Sequence, residues 1–377
     1  MVIAVKTKIT GKDEVEENDN FIFEAFRRII KLHSEHNFIL ISEKKLNDVL
    51  TSFDNVTNVA TGEEKKNPVS RYLWYNIKIP AILKKYKADV FISCDGIASL
   101  ATKVSQCIIG PDLTFIHQPS FFKKSALLFY KTFIPRSLKK AKLIFTFSEF
   151  CKTDIIKQYK INDEKIKVVN KGINENFKEI SYEEREAVKA KYTNGNEYFI
   201  YTGEVGIHKN LLNLLKAFSA FKKRQKSSMQ LLIAGKQEWK YEDFLKNLCL
   251  FKFKDDVKIL KDPTLQELVE ITAAAYAMVH PSLYESFATQ PLEAMRSGIP
   301  VINSSKGAMC EICGDAALYA DMENFKEIAV KMMQLFKDEN LRKELIEKGK
   351  IQAEKFNWGI TSYLLWENVE KILQTNL

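Results

Sequence analysis

The chain has 377 residues, an apolar fraction of 46% and a formal net charge of +9, which is more chain than one hydrophobic core ordinarily spans and too apolar for a disordered or fibrous protein. No stretch approaches the roughly 18 unbroken apolar residues of a bilayer-crossing helix, and the opening MVIAVKTKIT lacks the apolar run of a secretion signal, so the expectation is a cytoplasmic chain of two globular domains. The six cysteines are scattered and read as reduced, ordinary buried thiols; Cys310 and Cys313 form a C-x-x-C without the second Cys or His pair that a zinc site needs.

From the N-terminus, MVIAVKTKI reads as a strand, Phe21 to Leu32 as an amphipathic helix, FILIS as a strand and Tyr72 to Tyr86 as a helix, with ADVFIS, LTFIH and KLIFTFS as further strands. Strand and helix in repetition specify a doubly wound α/β domain. His117 falls at the strand end in FIHQPSFF. A basic segment follows: Phe121 to Lys142 carries seven Lys and Arg and no acid. Basic residues interleaved with Phe, Leu and Tyr suit an anionic lipid surface, and they suit equally a solvated helix face whose apolar side covers the core. Nucleic acid is not indicated, because no binding module accompanies the patch. Residues 1–180 hold 30 Lys and Arg against 21 Asp and Glu, whereas 181–377 hold 27 against 27, so the whole positive excess belongs to the first half.

The polar stretch ENFKEISYEEREAVKAKYTNGNE reads as a linker with a short helix, which sets domains of 1–182 and 183–359. The strand–helix pattern then restarts with YFIYTG, a helix from about Lys209 to Arg224, MQLLIAG, VKIL, a helix from about Leu265 to Ala275, YAMVHPSL and IPVINSS. Beyond Asp321 the chain is helical, and its last helix, about 360–377, is expected to pack back on the first domain.

Two strand-to-helix junctions of the second domain carry candidate chemistry, since helix N-termini at strand ends present N–H groups to anions. In the first, YTGEVGIHKN, Gly203 and Gly206 permit close backbone approach and Lys209 brings a point charge suited to phosphate. In the second, VHPSLYESFATQPLEAM, Pro291 suits the first turn of a helix and leaves Phe287, Ala288 and Thr289 as a short loop of exposed amides. Glu285 then hangs at a strand end, and Glu293 lies in the first helical turn, where the macrodipole alone favours a carboxylate.

PSLYESFATQPLEAMRSGIPVI resembles the E-x7-E motif of the family-4 retaining glycosyltransferases, which are two Rossmann-like domains of GT-B fold facing a central cleft. YTGEVGIHKNLLNLLKAF is similar to that family's G…KN loop, KGAMCEICGDAALYAD to its E-I-x-G-D-A-A region, and LIFTFSEFCKTDIIKQYKINDEKIKVVNKGIN to the end of its first domain. The resemblance implies a nucleotide-sugar donor as co-substrate, with no cofactor, and a hexose passed to a glycan or lipid-linked acceptor at the inner membrane face. It implies that Glu293 holds the donor ribose, that Glu285 faces the transferred sugar, and that the loop bearing Gly203, Lys209 and Asn210 neutralises the diphosphate. Amides of Phe287, Ala288 and Thr289 would meet sugar hydroxyls or phosphate, and His117 would approach the sugar or bond the acceptor.

The family commonly has arginine after the glycine of the phosphate loop, and often another before the lysine; Glu204 and His208 stand there. Lys236, ending the strand in LLIAGKQEW, is placed to supply the missing charge. The substitution also admits a weakly active donor-binding partner subunit. No Asp-x-Asp occurs, so metal-independent transfer is expected.

Overall fold

The structure is a computed structural model that describes residues 1–7, 17–46, 48–62, 67–205, 209–237 and 241–375. It divides into one unit of Met1–Gly172 with Asn357–Leu377 and a second of Ile173–Phe356.

In the first unit the described residues form a parallel seven-stranded sheet of β1 (Val2–Lys6), β2 (Asn37–Ser42), β3 (Val56–Ala60), β4 (Val90–Ser93), β5 (Ser105–Ile109), β6 (Leu143–Thr146) and β7 (Ile166–Val168), in spatial order β3-β2-β1-β4-β5-β6-β7. The central strands are apolar runs because both faces are covered. On one face the Glu17–Leu32 and Trp358–Thr375 helices share a core with Ile3, Val5, Phe38 and Leu40, and Trp366 stacks on His33 at 4.1 Å between ring centres. On the other, the Ile79–Lys85 and Lys124–Lys140 helices bury Ile82, Leu83, Phe129, Phe133 and Leu138 against Ile39 and Phe91.

The second unit holds β8 (Tyr198–Thr202), β9 (Gln230–Gly235), β10 (Val257–Lys261), β11 (Ala277–Val279), β12 (Val301–Ser304) and β13 (Ala317–Ala320), a parallel sheet in the order β10-β9-β8-β11-β12-β13 among the described residues. Both units are Rossmann-like: the chain runs outward on one side of the first strand, then returns to its other side, so strand order reverses at β1/β4 and at β8/β11.

Four local readings are corrected. LTFIH is not a strand: the strand is β5, in VSQCII, and Thr114–His117 is a single helical turn. Asp112 dictates this, because its Oδ1 accepts from both the amide and the hydroxyl of Thr114, at 2.8 and 2.5 Å, and so turns the chain after Pro111. The Tyr72–Tyr86 helix begins at Pro68 and contains a π-turn, Trp74–Lys78, where the amide of Ile79 bonds the carbonyl of Trp74. Pro80 has no N–H and crowds an ordinary α-helical carbonyl, and the wider turn relieves that conflict. The stretch around residue 182 does carry the expected short helix, Tyr182–Thr193, but Ser181 and Glu184 cap it inside the second unit and not between the two. Cys313 is buried but Cys310 is exposed, and both are free thiols. Among the described residues no helix is long and apolar enough to cross a membrane.

Candidate functional site

The strand-order reversal of the second unit brings the two candidate junctions together. Gly203 follows β8 with φ +131°, and Gly235 ends β9 with φ +156°, a pairing only glycine tolerates because a Cβ on Gly235 would overlap the Gly203 carbonyl. The two loops then run side by side, the amide of Val205 donating to the carbonyl of Lys236 at 2.7 Å. Lys236 therefore borders the Gly203 loop. Gly206 and His208 lie outside the described residues.

Lys209 and Asn210 precede the Leu211–Gln225 helix. Asn210 adopts a left-handed conformation with φ +59°, and its side-chain amide donates to the carbonyls of Pro281 and Met322 at 2.9 and 2.7 Å. That amide ties the helix start to the end of β11, so Asn210 positions the lysine next to it. Lys209 Nζ donates to Glu285 Oε1 at 3.0 Å and lies 3.9 Å from Glu204 Oε2.

Glu285 sits beyond β11 with a side chain only 17% exposed. Burial alone would raise its pKa, but the charge of Lys209, the His280 ring and the bond from Lys209 outweigh it, and the carboxyl is held below its ordinary value. Glu285 is thus an anion at neutral pH beside a cation, within reach of whatever the lysine holds. His280, which sequence reasoning passed over, is buried with Nε2 3.8 Å from Glu285 Oε1 and its ring stacked over Tyr201. A histidine in an apolar strand end gives no signal until the partner from β8 is known.

Phe287, Ala288 and Thr289 are buried residues of the loop before the Gln290–Arg296 helix. The Phe287 ring packs edge-on against Phe356 at 5.8 Å, which draws the segment inward. Thr289 precedes the Gln290–Arg296 helix, Pro291 occupies its first turn, and Glu293 lies half-buried in that turn.

In the first unit, His117 Nε2 lies 2.6 Å from Asp154 Oδ2 on the Glu149–Tyr159 helix, and the histidine is 30% exposed. A buried carboxylate that fixes one ring nitrogen orients the imidazole. A second cluster there escaped the sequence altogether. At the β1/β4 reversal, Lys6 is paired with Asp95 and donates to Tyr75 Oη at 2.6 Å, Tyr75 donates to Asp95, and Arg71 lies 3.7 Å from the same carboxylate. Burial pushes Asp95 up, yet Lys6 and Arg71 hold it far below the carboxylate range.

Two family profiles match consecutive segments: "Glycosyltransferase Family 4" over residues 36–177 and "Glycosyl transferases group 1" over 182–352. The chain is 28% identical to the O-antigen chain mannosyltransferase B of Escherichia coli, over 66% of this chain and 65% of that protein, so the match spans just under two thirds of the relative. It is 26% identical to the O-antigen chain mannosyltransferase RfbU of Salmonella typhimurium over 78% of this chain and 79% of the relative. The crystal structure of Anabaena HepE in complex with UDP and glucose superposes with a TM-score of 0.77 at 14% identity, over 98% of this chain and all of the other. With both Rossmann-like halves of the GT-B fold in place and each matched in order, the chain belongs to the group 1, family-4 glycosyltransferases.

Proposed function

We propose that the protein transfers a hexose, with mannose the first candidate, from a nucleotide-sugar donor to a glycan or lipid-linked acceptor, without a metal and with retention of configuration. The observation that carries this reading is the Lys209–Glu285 pair at the β8/β11 reversal, where open α/β sheets take their ligands. Lys209 suits the diphosphate of a donor, and Glu285 suits the sugar whose anomeric carbon becomes positive as the diphosphate leaves. Glu293, in a helix's first turn, suits the ribose hydroxyls, Lys236 beside the Gly203 loop adds charge near the phosphates, and His117 serves the acceptor or the sugar. Mannose is supported by the names of the two enterobacterial relatives, both O-antigen chain mannosyltransferases.

A panel of nucleotide sugars assayed by thermal shift identifies the donor, because a bound ligand stabilises in proportion to its occupancy. A nucleotide-mannose is expected to raise the melting temperature most, and turnover should then follow with a lipid-linked saccharide acceptor. A donor that binds tightly while the purified protein shows no transfer would favour the second reading, a donor-binding partner subunit. Glu204 is the observation behind that alternative, since it sets a carboxylate 3.9 Å from the lysine assigned to the leaving group.

A further inference from the structure

The Pro68–Lys78 stretch of the first unit buries Trp74 and Tyr75 yet leaves a second apolar stripe in solvent. Val69, Tyr72, Leu73 and Ile77 recur at helical spacing and are 69%, 42%, 45% and 64% exposed. The inward side is already satisfied, with Trp74 and Tyr75 in the core and Arg71 and Tyr75 turned to Asp95. Single exposed apolar residues are ordinary on a protein surface, whereas a contiguous stripe marks an interaction site.

The stripe adjoins the basic Lys124–Lys140 helix: the Tyr72 ring meets Phe133 edge-on at 5.1 Å, and Arg71 donates to Tyr130 Oη at 3.0 Å. That helix has spent its own apolar side on the core, since Phe129, Phe133, Ile134 and Leu138 are buried. What it shows outward is charge, Lys124, Lys131, Arg136, Lys139 and Lys140 all being exposed, with Leu128 the one large apolar side chain at 68% exposure among its described residues. The basic segment alone is therefore a solvated face, and the apolar contact it lacks is supplied by the neighbouring helix.

We propose that the Val69–Ile77 stripe and the basic helix beside it form one surface that docks on an anionic lipid bilayer, the stripe entering the headgroup–acyl boundary and the lysines lying over the phosphates. Charge selects this occupant. The segment from Phe121 to Lys142 carries no acid, so it sets an acid-free cationic helix beside an apolar strip, which is the pattern of an interfacial anchor.

The test is co-sedimentation of the full chain with vesicles of phosphatidylglycerol and phosphatidylcholine, set against phosphatidylcholine alone. The wild type is expected to sediment with the anionic vesicles and to be released by salt. Leu73→Ser with Ile77→Ser should lower partitioning about ten-fold, the scale set by removing two large apolar side chains from a lipid boundary. Lys139, Lys140 and Lys142 changed together to Gln should lower it and flatten its salt dependence. Both target sets are exposed, and unchanged melting curves would certify the folds; Ile77→Asn alone serves if the double variant melts early. The proposal is overturned if wild type stays in solution with anionic vesicles, or if the apolar variant binds them as wild type does. It is overturned equally if that variant converts a dimer to a monomer in light scattering with vesicle binding intact, which would make the stripe a protein interface. No sugar donor enters these measurements, so their outcome is separate from that of the glycosyl-transfer reading.

Discussion

Lys209 Nζ is shared between two carboxylates, 3.0 Å from Glu285 and 3.9 Å from Glu204, at the point where the strand order of the second unit reverses. A donor diphosphate bound there, as proposed, would compete with both for that charge. Glu285 is largely buried and holds the tighter contact, while Glu204 is 49% exposed and adds only a screened field.

Removing the Glu204 charge is therefore expected to help the donor. Glu204→Gln should tighten donor binding by up to roughly five-fold, since a half-exposed ion pair is worth about 0.2–1 kcal/mol. Titration calorimetry with the donor found by thermal shift measures this directly. Weaker binding in the variant would mean that Glu204 contacts the donor itself.

Lys209→Ala is expected to lower kcat beyond any loss of donor affinity, because charge on the departing diphosphate grows toward the transition state and the lysine interacts with it most strongly there. The variant also leaves Glu285 without its nearest cation, so its carboxyl should titrate at higher pH. An unchanged kcat would remove Lys209 from the leaving-group role.

Glu293→Gln should show the opposite balance, weakening donor binding several-fold while single-turnover rate at saturating donor changes little. Its proposed partner is a ribose diol remote from the bond that breaks, so binding and transition state are affected alike. A large fall in the saturated rate would place Glu293 nearer the reacting centre than its position in the Gln290–Arg296 helix suggests.

How much of this could be read from residues alone depended on whether the signal was local. Strand runs such as FILIS and MQLLIAG are apolar because both faces are covered, and that pattern is intrinsic to the run. The positions of Lys209 before a helix, Glu285 beyond a strand and Glu293 in a first helical turn follow from local pattern, whereas the Lys209–Glu285 contact needs the fold. LTFIH failed because an Asp112 turn overrides an apolar run, and His280 and the Lys6–Asp95 pair went unseen because each depends on a partner from a distant strand. The Asn210 side-chain amide is engaged by two backbone carbonyls that no local pattern announces.

Lys6 and Asp95 lead to a stability prediction for the first unit. Both are buried, so Asp95→Asn leaves the Lys6 and Arg71 charges without their counterion and should cost about 3 kcal/mol. Urea unfolding followed by fluorescence measures it. Because the Asp95 pKa is depressed on folding, its contribution is complete above the unfolded carboxylate range and is lost as pH falls through the folded value. The gap between wild type and Asp95→Asn should accordingly be constant near neutrality and narrow only in acid. A gap that widened in acid would contradict the ion pair.

Glu285 offers the sharpest test of the catalytic assignment. Its carboxyl follows β11, lies against Lys209 and His280, and is kept ionised by them despite burial. An anion so placed serves a sugar whose anomeric carbon gains positive charge, and that service is greatest in the transition state. Glu285→Gln keeps the size and the hydrogen-bonding capacity while removing the charge, so donor affinity should stay within a few-fold of wild type. Turnover should fall by about two orders of magnitude, the usual loss when one fixed transition-state contact is removed. The pH profile provides an independent readout: with the Glu285 pKa held below its ordinary value, the acid limb of wild-type turnover should lie below the usual carboxylate range, and the Gln variant should lose that limb. Near-normal turnover in the variant would make Glu285 a structural partner of Lys209, and the site would then need another group to meet the sugar.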